Sequence, residues 1–530
     1  MATTTTGLLP QSEIDGIDVI TNGTYWALDS SRTITWATSD FFLDYWSNPI
    51  AGAAFIGGAL SKFQEVANIR FQYVGHYADP NFAPANMVFS ATSFPFLFGK
   101  SNSVVAWAYS PNEEISDASV AYWFGDNYPN AAGDVWINLS SEAIFYPSYP
   151  GSDGFFLFLH EIGHAIGLKH PHDNGGTGRP TATALGIDPA DIQLLTVMSY
   201  KEGSPVSSWW AGNPGSLMPL DIFALQWLYG PNNSTRDGNT SYSLQDDGIL
   251  ESFWDAGGTD LASAATSSQG WNIVLGIGDK ILGHEVGLAA PKNSLVTLKY
   301  FFDLENAVGS LYSDTLIGNG LPNALTGLSG ADTIGGQDGN DTLYGGTGND
   351  TLDGGVGIDT ALFAGNRASY TISRPAFNHI VSGIDGSDTL STIERLQFSD
   401  KKIALDLGVG QSAGNTVKII GAAFDAPAIQ QRPDYVGVGL DLFDSGTSML
   451  SVCQLAIGAM GSPTYTAFVN MVYQNLFGVL PSTADRNFYV GLLQGGTMTQ
   501  AQLLEIAANS DINAQSINLV GLQQSGVEFI

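Results

Sequence analysis

At 530 residues the chain is too long for one compact domain and predicts roughly two to four. Fifty-one acidic residues against nineteen basic ones give a formal charge of −32, which argues against nucleic acid and anionic membrane surfaces as partners and favours bound cations, chiefly Ca²⁺. A hydrophobic content of 44% argues against a disordered acidic chain. The single cysteine, Cys453, leaves no intramolecular disulfide. That pattern fits a cytosolic protein, and equally a bacterial protein exported unfolded and folded outside on metal ions. Met1 to Gly16 shows neither a basic n-region nor an apolar h-region, so no secretory signal peptide is expected. No stretch reaches the length of a transmembrane helix.

In chain order, the Thr-rich residues 1–20 read as a mobile arm or short pro-segment. From about Gly23 the pattern is mixed α and β. Strands are expected at Thr33–Ala37, Ile69–Val74, Met87–Phe89, Val104–Ala108 and Asp134–Leu139, and helices at Ala53–Ala67, Phe155–Ile166 and Pro219–Leu228. After about residue 240 glycine rises and a period of nine emerges. Further strands are expected at Tyr370–Ile372 and Ile393–Phe398, residues 406–460 read as including a linker, and Tyr465 to Ser510 reads as helical.

Four of the seven histidines fall between residues 160 and 172. His160-Glu161-Ile162-Gly163-His164 places two imidazoles at i and i+4 on one helix face, where they can grip one Zn²⁺. Gly167 follows where the helix should end, because glycine tolerates positive φ and lets the chain turn sharply. The turn carries His170 back to the same ion. Three imidazoles leave a fourth position for water, the pattern of a catalytic rather than a closed site. Glu161 beside the first ligand is the candidate general base, taking a proton from the attacking water and passing it to the leaving amine. His172 reads as a solvated loop residue.

The eleven-residue run from His160 to His170, followed by Pro171, resembles the metzincins, specifically the serralysin-type bacterial metalloproteases. Thr196-Val197-Met198-Ser199-Tyr200 is similar to their Met-turn. The resemblance implies that Met198 floors the zinc ligands. It also implies that Tyr200 ligates zinc at rest and swings out to stabilise the oxyanion. Pro219 to Gly230 is similar to the helix that closes the family's protease domain, and Trp254 to Asp260 with Glu305-Asn306-Ala307 to the start of its calcium-binding β-roll. The resemblance covers about residues 20–405. It implies a calcium held by Arg236, Gly238 and Thr240 (through backbone carbonyls) together with Asp255, Gly257 and Asp260. His172 departs from the family, which commonly has Gly there, and neither a long pro-domain nor a cysteine latency switch is present in this sequence.

The nine-residue register aligns Asp314, Asn323, Asp332, Asp341, Asp350 and Asp359, each with a glycine five residues earlier. Such GGxGxDxUx units form tight glycine turns whose carbonyls face a cation, an added Asp carboxylate and a short strand with one inward apolar residue. The calcium-binding positions are Gly327, Gly330, Asp332, Gly336, Gly339, Asp341, Gly345, Gly348, Asp350, Gly354, Gly357 and Asp359. The inward residues are Leu316, Leu325, Ile334, Leu343, Leu352 and Ala361. Tyr312, Leu321 and Asn323 break the pattern at the first turns, so fewer calcium sites are expected there. Without calcium the region should be largely unfolded.

The expected architecture is therefore multidomain. It has an N-terminal arm or pro-segment (1–20), an α+β metzincin-like zinc protease domain (21–240) and a parallel β-roll calcium-binding domain (241–405). A linker (406–460) and a small α-helical C-terminal domain (461–530) follow. The helical region resembles a domain of unknown function in secreted bacterial proteins with such repeats, and its aromatics Tyr473, Phe477, Phe488 and Tyr489 read as core. The expected function is a secreted, calcium-stabilised zinc endopeptidase acting on protein or peptide substrates, with Val104 to Pro111 as the candidate strand for pairing with substrate. The resemblance implies type I secretion, and Val527-Glu528-Phe529-Ile530 has the acidic-then-apolar look of an uncleaved signal. Two alternatives stay open: a dedicated processing protease for one partner protein, and a non-enzymatic calcium-dependent surface or adhesion protein.

Overall fold

The structure is a computed structural model that describes residues 3–4, 11–12, 14–40, 49–92, 105–111, 131–138, 149–173, 178–186, 194–199, 213–277, 280–294 and 297–530. The chain divides into two compact units. The first is Met1–Leu261 with Leu275–Leu304, and the second is Ala262–Val274 with Glu305–Ile530.

The first unit is built on a five-stranded sheet in the order Arg70–Tyr77, Thr33–Ser39, Met87–Thr92, Val135–Asn138, Ala106–Ala108. The first four strands are mutually parallel and the last is antiparallel. Thr33–Ser39 is almost wholly buried, as expected of an inner parallel strand covered on both faces. Helices Pro49–Val66, Asp153–Ala165 and Pro219–Tyr229 share one core with this sheet, in which Trp36 and Phe89 meet Ile56, Phe63, Phe158, Ile162 and Phe223. Residues Leu250–Phe253 and Leu298–Phe302 pair in parallel within the same unit.

The N-terminal segment is not a mobile arm throughout. Asp15–Ile20 is a helix whose Ile17, Val19 and Ile20 are fully buried, and the chain just past it bridges Thr21 to Leu168. Those three apolar side chains outweigh the Thr-rich start that suggested mobility.

In the second unit the nonapeptide strands alternate between two sheets. Thr315–Ile317, Thr333–Asp338 and Thr351–Val356 run parallel in one, and Asn306–Val308, Ala324–Ser329, Thr342–Thr347 and Thr360–Leu362 in the other. Each strand pairs with the one eighteen residues on, as in Leu316↔Ile334 and Leu325↔Leu343, so two nonapeptides make one turn of a parallel β-roll. Leu316, Leu325, Ile334, Leu343, Leu352 and Ala361 all point inward and are at most 1% exposed.

The supposed linker is folded. Ser412–Phe424, Ala428–Gln431, Pro433–Asp444 and Met449–Ala459 are helices ahead of Tyr465–Phe477, Thr483–Gln494 and Gln500–Ala508. Glycines here permit close packing. A Cβ on Gly439 would lie 2.4 Å from Thr416 Cγ2, and one on Gly437 would lie 2.1 Å from the Ile530 carbonyl. The aromatic expectation is corrected at two positions, while Tyr489 does pack, partly buried, against the core. Phe468 is the buried aromatic of this region, whereas Phe477 and Phe488 are exposed. Val527–Phe529 forms an edge strand antiparallel to Lys402–Ala404. No described helix is long and apolar enough to cross a membrane.

Ile20→Ala should lower the stability of the first unit by about 2–5 kcal/mol, read as a lower urea midpoint by near-UV circular dichroism. An unchanged midpoint would mean that the segment is an arm after all.

Candidate metal centre

Helix Asp153–Ala165 starts where Ser152 accepts the Phe155 N–H through its hydroxyl and Asp153 sits in the positive first turn. Phe155, Phe158, Leu159, Ile162 and Ala165 bury its apolar face. The chain leaves the helix through Gly167 at φ 112°, and a Cβ there would lie 2.3 Å from the Thr24 carbonyl oxygen. Only glycine fits this turn, and the turn delivers His170.

The three expected zinc ligands converge. His170 Nε2 lies 3.1 Å from His160 Nε2 and 2.9 Å from His164 Nε2. Each Nδ1 faces an oxygen: the Val197 carbonyl at 2.8 Å for His160, the Leu168 carbonyl at 3.0 Å for His164 and Asp173 Oδ2 at 2.6 Å for His170. Carbonyls and carboxylates only accept, so each ring donates from Nδ1 and turns an Nε2 lone pair toward the other two. Three converging lone pairs repel unless a Lewis acid sits among them. The Nε2 separations come within a few tenths of an ångström of the ~3.3 Å edge of a tetrahedron with Zn–N ~2.0 Å. Burial, reinforced by the neighbouring His170, pushes the His160 pKa down to about 3, and burial holds His164 well below the usual range. Both rings are therefore neutral, as metal ligation requires. The residues fit a zinc ion.

Glu161 is also buried, and burial alone raises its carboxyl to about 8. Met198 is fully buried, and its Sδ fills the space a Cβ on Gly163 would take, 2.5 Å away, beneath the helix between the first two ligands. The turn carrying it is anchored by Asp221. The Asp221 carboxylate accepts the Thr196 hydroxyl, the Val197 N–H at 2.8 Å and the Met218 N–H at 3.0 Å. Burial, opposed by these hydrogen bonds, raises the Asp221 carboxyl to about 7. Tyr200 lies outside the described residues.

Sequence reasoning missed Asp173, Asp221 and Lys169. Asp173 orients His170. Lys169 is buried and donates from Nζ to the carbonyls of Val19, Asp173 (2.8 Å) and Pro180 (3.0 Å), so it ties the post-helix loop to the N-terminal segment. The signal for Asp221 was a lone carboxylate in an otherwise apolar helix; Lys169 and Asp173 had none. His172 is not simply solvated. It is half-buried and stacks on His170, with centroids 4.9 Å apart and planes within 9°.

The loop 236–240 and the loop 255–260 meet. Asp260 Oδ1 accepts the Thr240 N–H at 2.7 Å, Asp255 Oδ1 accepts the Gly257 N–H at 3.1 Å, and the Gly258 backbone packs on Gly238. Asp255 and Asp260 are both buried.

In the roll, Oδ1 of each aspartate accepts the main-chain N–H one turn earlier: Asp332 from Asp314 (2.7 Å), Asp341 from Asn323 (2.7 Å), Asp350 from Asp332 (2.8 Å) and Asp359 from Asp341 (2.8 Å). Oδ2 of Asp341, Asp350 and Asp359 is buried with no hydrogen-bond partner. A Cβ on Gly336 would lie 2.2 Å from Asp341 Oδ2 and 2.5 Å from the Gly354 carbonyl, and Gly327 stands likewise against Asp332 Oδ2 and the Gly345 carbonyl. Gly330, Gly339, Gly348 and Gly357 all take positive φ. Buried anionic oxygens beside converging carbonyls, without N–H donors, are the donor set of a hard cation such as Ca²⁺. Burial raises the Asp341 carboxyl to about 6. The first turn differs, because Asp314 is satisfied by the N–H and hydroxyl of Ser310 and the N–H of Trp271.

Residues 326–361 match the family described as the RTX calcium-binding nonapeptide repeat, in four copies. The chain is 32% identical over 288 residues to Serralysin of Proteus mirabilis, a stretch covering 50% of this chain and 54% of that one. It is 32% identical over 217 residues to Serralysin C of Dickeya chrysanthemi, covering 37% and 42%. It is 29% identical over 286 residues to Metalloprotease AprA of Pseudomonas entomophila (strain L48), covering 50% and 53%. Over half its length, the chain is similar to the serralysins. The matched stretches span about half or less of these relatives' own length. The serralysin-like part and the RTX repeats agree with the multidomain fold of an α+β unit, a parallel β-roll and C-terminal helices.

Asp173→Ala should keep the fold and weaken zinc binding about 10–100-fold, measured by chelator competition, because His170 loses the carboxylate that orients its ring. Unchanged affinity would remove Asp173 from the site.

Proposed function

We propose that the protein is a secreted, calcium-stabilised zinc endopeptidase that hydrolyses internal peptide bonds of extracellular proteins. The observation that carries this reading is the convergence of the His160, His164 and His170 Nε2 atoms, each ring held by an acceptor on its Nδ1. When bound, zinc supplies a Lewis acid that polarises a carbonyl and lowers the pKa of a water molecule. Glu161 takes the proton of the attacking water on its carboxylate and returns it to the leaving amine nitrogen. Met198 supports the ligand helix from beneath, and Tyr200 donates its hydroxyl to the developing oxyanion. Among the described residues the Ala106–Ala108 strand ends the sheet, which leaves one side for an extended substrate to add by main-chain pairing.

Calcium holds the 236–240 and 255–260 loops together through Arg236, Gly238, Thr240, Asp255, Gly257 and Asp260, and the roll through its Asp and Gly positions. Export as an unfolded chain through a type I apparatus suits a roll whose carboxylates need a cation and a chain whose only cysteine is buried. The processing-protease and adhesion readings remain as outcomes of the tests.

Zinc- and calcium-loaded protein should digest casein, and chelation should abolish digestion. No casein cleavage together with cleavage of one co-secreted protein would favour the dedicated processing protease. Glu161→Ala should retain zinc while activity falls by at least about 100-fold, the typical contribution of a general base. Full activity in that variant would overturn the assigned base.

A further inference from the structure

The nonapeptide period ends at Asp359 in the sequence, and the matched repeats end at 361. The stack of turns does not end there. Strand Gly386–Ser391 continues the first roll sheet with Thr351↔Thr389 and Leu352↔Leu390 in parallel register. Strand Arg395–Gln397 continues the second with Ala361↔Leu396. Between the last repeat strand, Thr360–Leu362, and Gly386–Ser391 the chain inserts the hairpin Thr371–Ser373 and His379–Gly383, which hides the period.

The turn chemistry continues with the strands. Gly348 donates its N–H to the Asp385 carbonyl at 2.7 Å, as Gly330 does to Thr347 (2.9 Å) and Gly339 to Val356 (3.0 Å). Gly386 has φ 137°, and a Cβ there would lie 1.6 Å from the Gly348 carbonyl, the same approach that Gly357 makes to Gly339. Asp388 Oδ1 then accepts the Asp350 N–H at 3.0 Å, and Glu394 Oε2 accepts the Asp359 N–H at 2.9 Å. Both repeat the Asp-to-Asp ladder of the inner turns. The Thr392 carbonyl takes the place that the Gly354 carbonyl holds one turn earlier, since a Cβ on Gly354 would lie 2.2 Å from it and 2.4 Å from Asp359 Oδ2. Asp388 is 3% exposed, and the Oδ2 atoms of Asp350 and Asp359 are buried without a hydrogen-bond partner, their residues at most 2% exposed.

We infer two further Ca²⁺ sites that close the roll: Asp388 completes one against Asp350, and Glu394 with the Thr392 carbonyl completes the other against Asp359. The inference rests on the calcium reading of the inner turns. Asp388 is a cryptic repeat aspartate in Gly386-Ser387-Asp388-Thr389-Leu390, which keeps the GxDxU core of the unit. Glu394 replaces the aspartate of the following unit, accepting the Asp359 N–H as those aspartates accept theirs. The sites matter because an uncapped last turn would leave the Asp350 and Asp359 oxygens buried without a counter-ion.

Calcium stoichiometry by isothermal titration of the chelator-stripped full chain tests this, with Asp341→Asn as the inner-turn control and circular dichroism to verify folding. Asp388→Asn and Glu394→Gln should each lose at least one bound ion, or weaken one at least tenfold, as Asp341→Asn does. Loss in Asp341→Asn with full binding retained in both other variants would overturn the closing sites alone. Absence of calcium binding by the unmutated chain would overturn the roll reading with them. Should the variants not fold, hydrogen exchange on the unmutated chain decides. Calcium should protect residues 384–397 together with 333–361, and equal protection of 384–397 in chelator would overturn the inference.

Discussion

Three imidazole lone pairs aimed at one point are the constraint around which the first unit is arranged. Each ring is held from behind by an acceptor: Val197 and Leu168 carbonyls for two, Asp173 for the third. Bringing the third ring to the other two needs the turn at Gly167, whose positive φ and approach to the Thr24 carbonyl leave no room for a side chain. The environment then settles protonation, because burial keeps His160 and His164 neutral. The surroundings fix each ring from behind, which is how a metal site gains affinity without reorganisation.

Those surroundings are built from ordinary folding forces. Asp221 brings the Met198 turn under the ligand helix through three hydrogen bonds, and buried Lys169 fastens the loop after His170 to the N-terminal segment. Neither needs to touch a substrate. Each turns a piece of irregular backbone into a fixed wall, with main-chain donors or acceptors that would otherwise be buried unmade.

The roll follows a different rule. Its interior is one apolar residue per strand, too little to hold a domain together by burial alone. Its turns instead gather buried carboxylates of which one oxygen, Oδ2 in Asp341, Asp350 and Asp359, has no hydrogen donor, so a cation is the natural source of its folding energy. Where the glycine pattern degrades, at Asp314, N–H and hydroxyl donors satisfy the carboxylate. Protein donors and metal ions are alternative answers to the same buried charge.

The local features were legible in the sequence because local chemistry dictates them. Histidines at i and i+4, a glycine at the helix end and a nine-residue Gly–Asp period each encode a geometry within a few residues, and the helix, the turn and the inward residues Leu316 to Ala361 follow. What only the tertiary structure decided depends on partners distant in the chain. Ile17 and Ile20 are core rather than arm because helix Pro219–Tyr229 packs on their segment. Residues 412–459 are helices rather than a linker, and within them Gly437 and Gly439 pack closely on Ile530 and Thr416. Phe477 and Phe488 are on the surface because Phe468 and its neighbours fill the core. Asp221, Asp388 and Glu394 acquire their roles from backbone groups brought to them from up to 38 residues away in the chain, across an inserted hairpin in the last two cases. Spacing encodes what one helix or one turn does to itself; it carries no record of which strand will lie beside it.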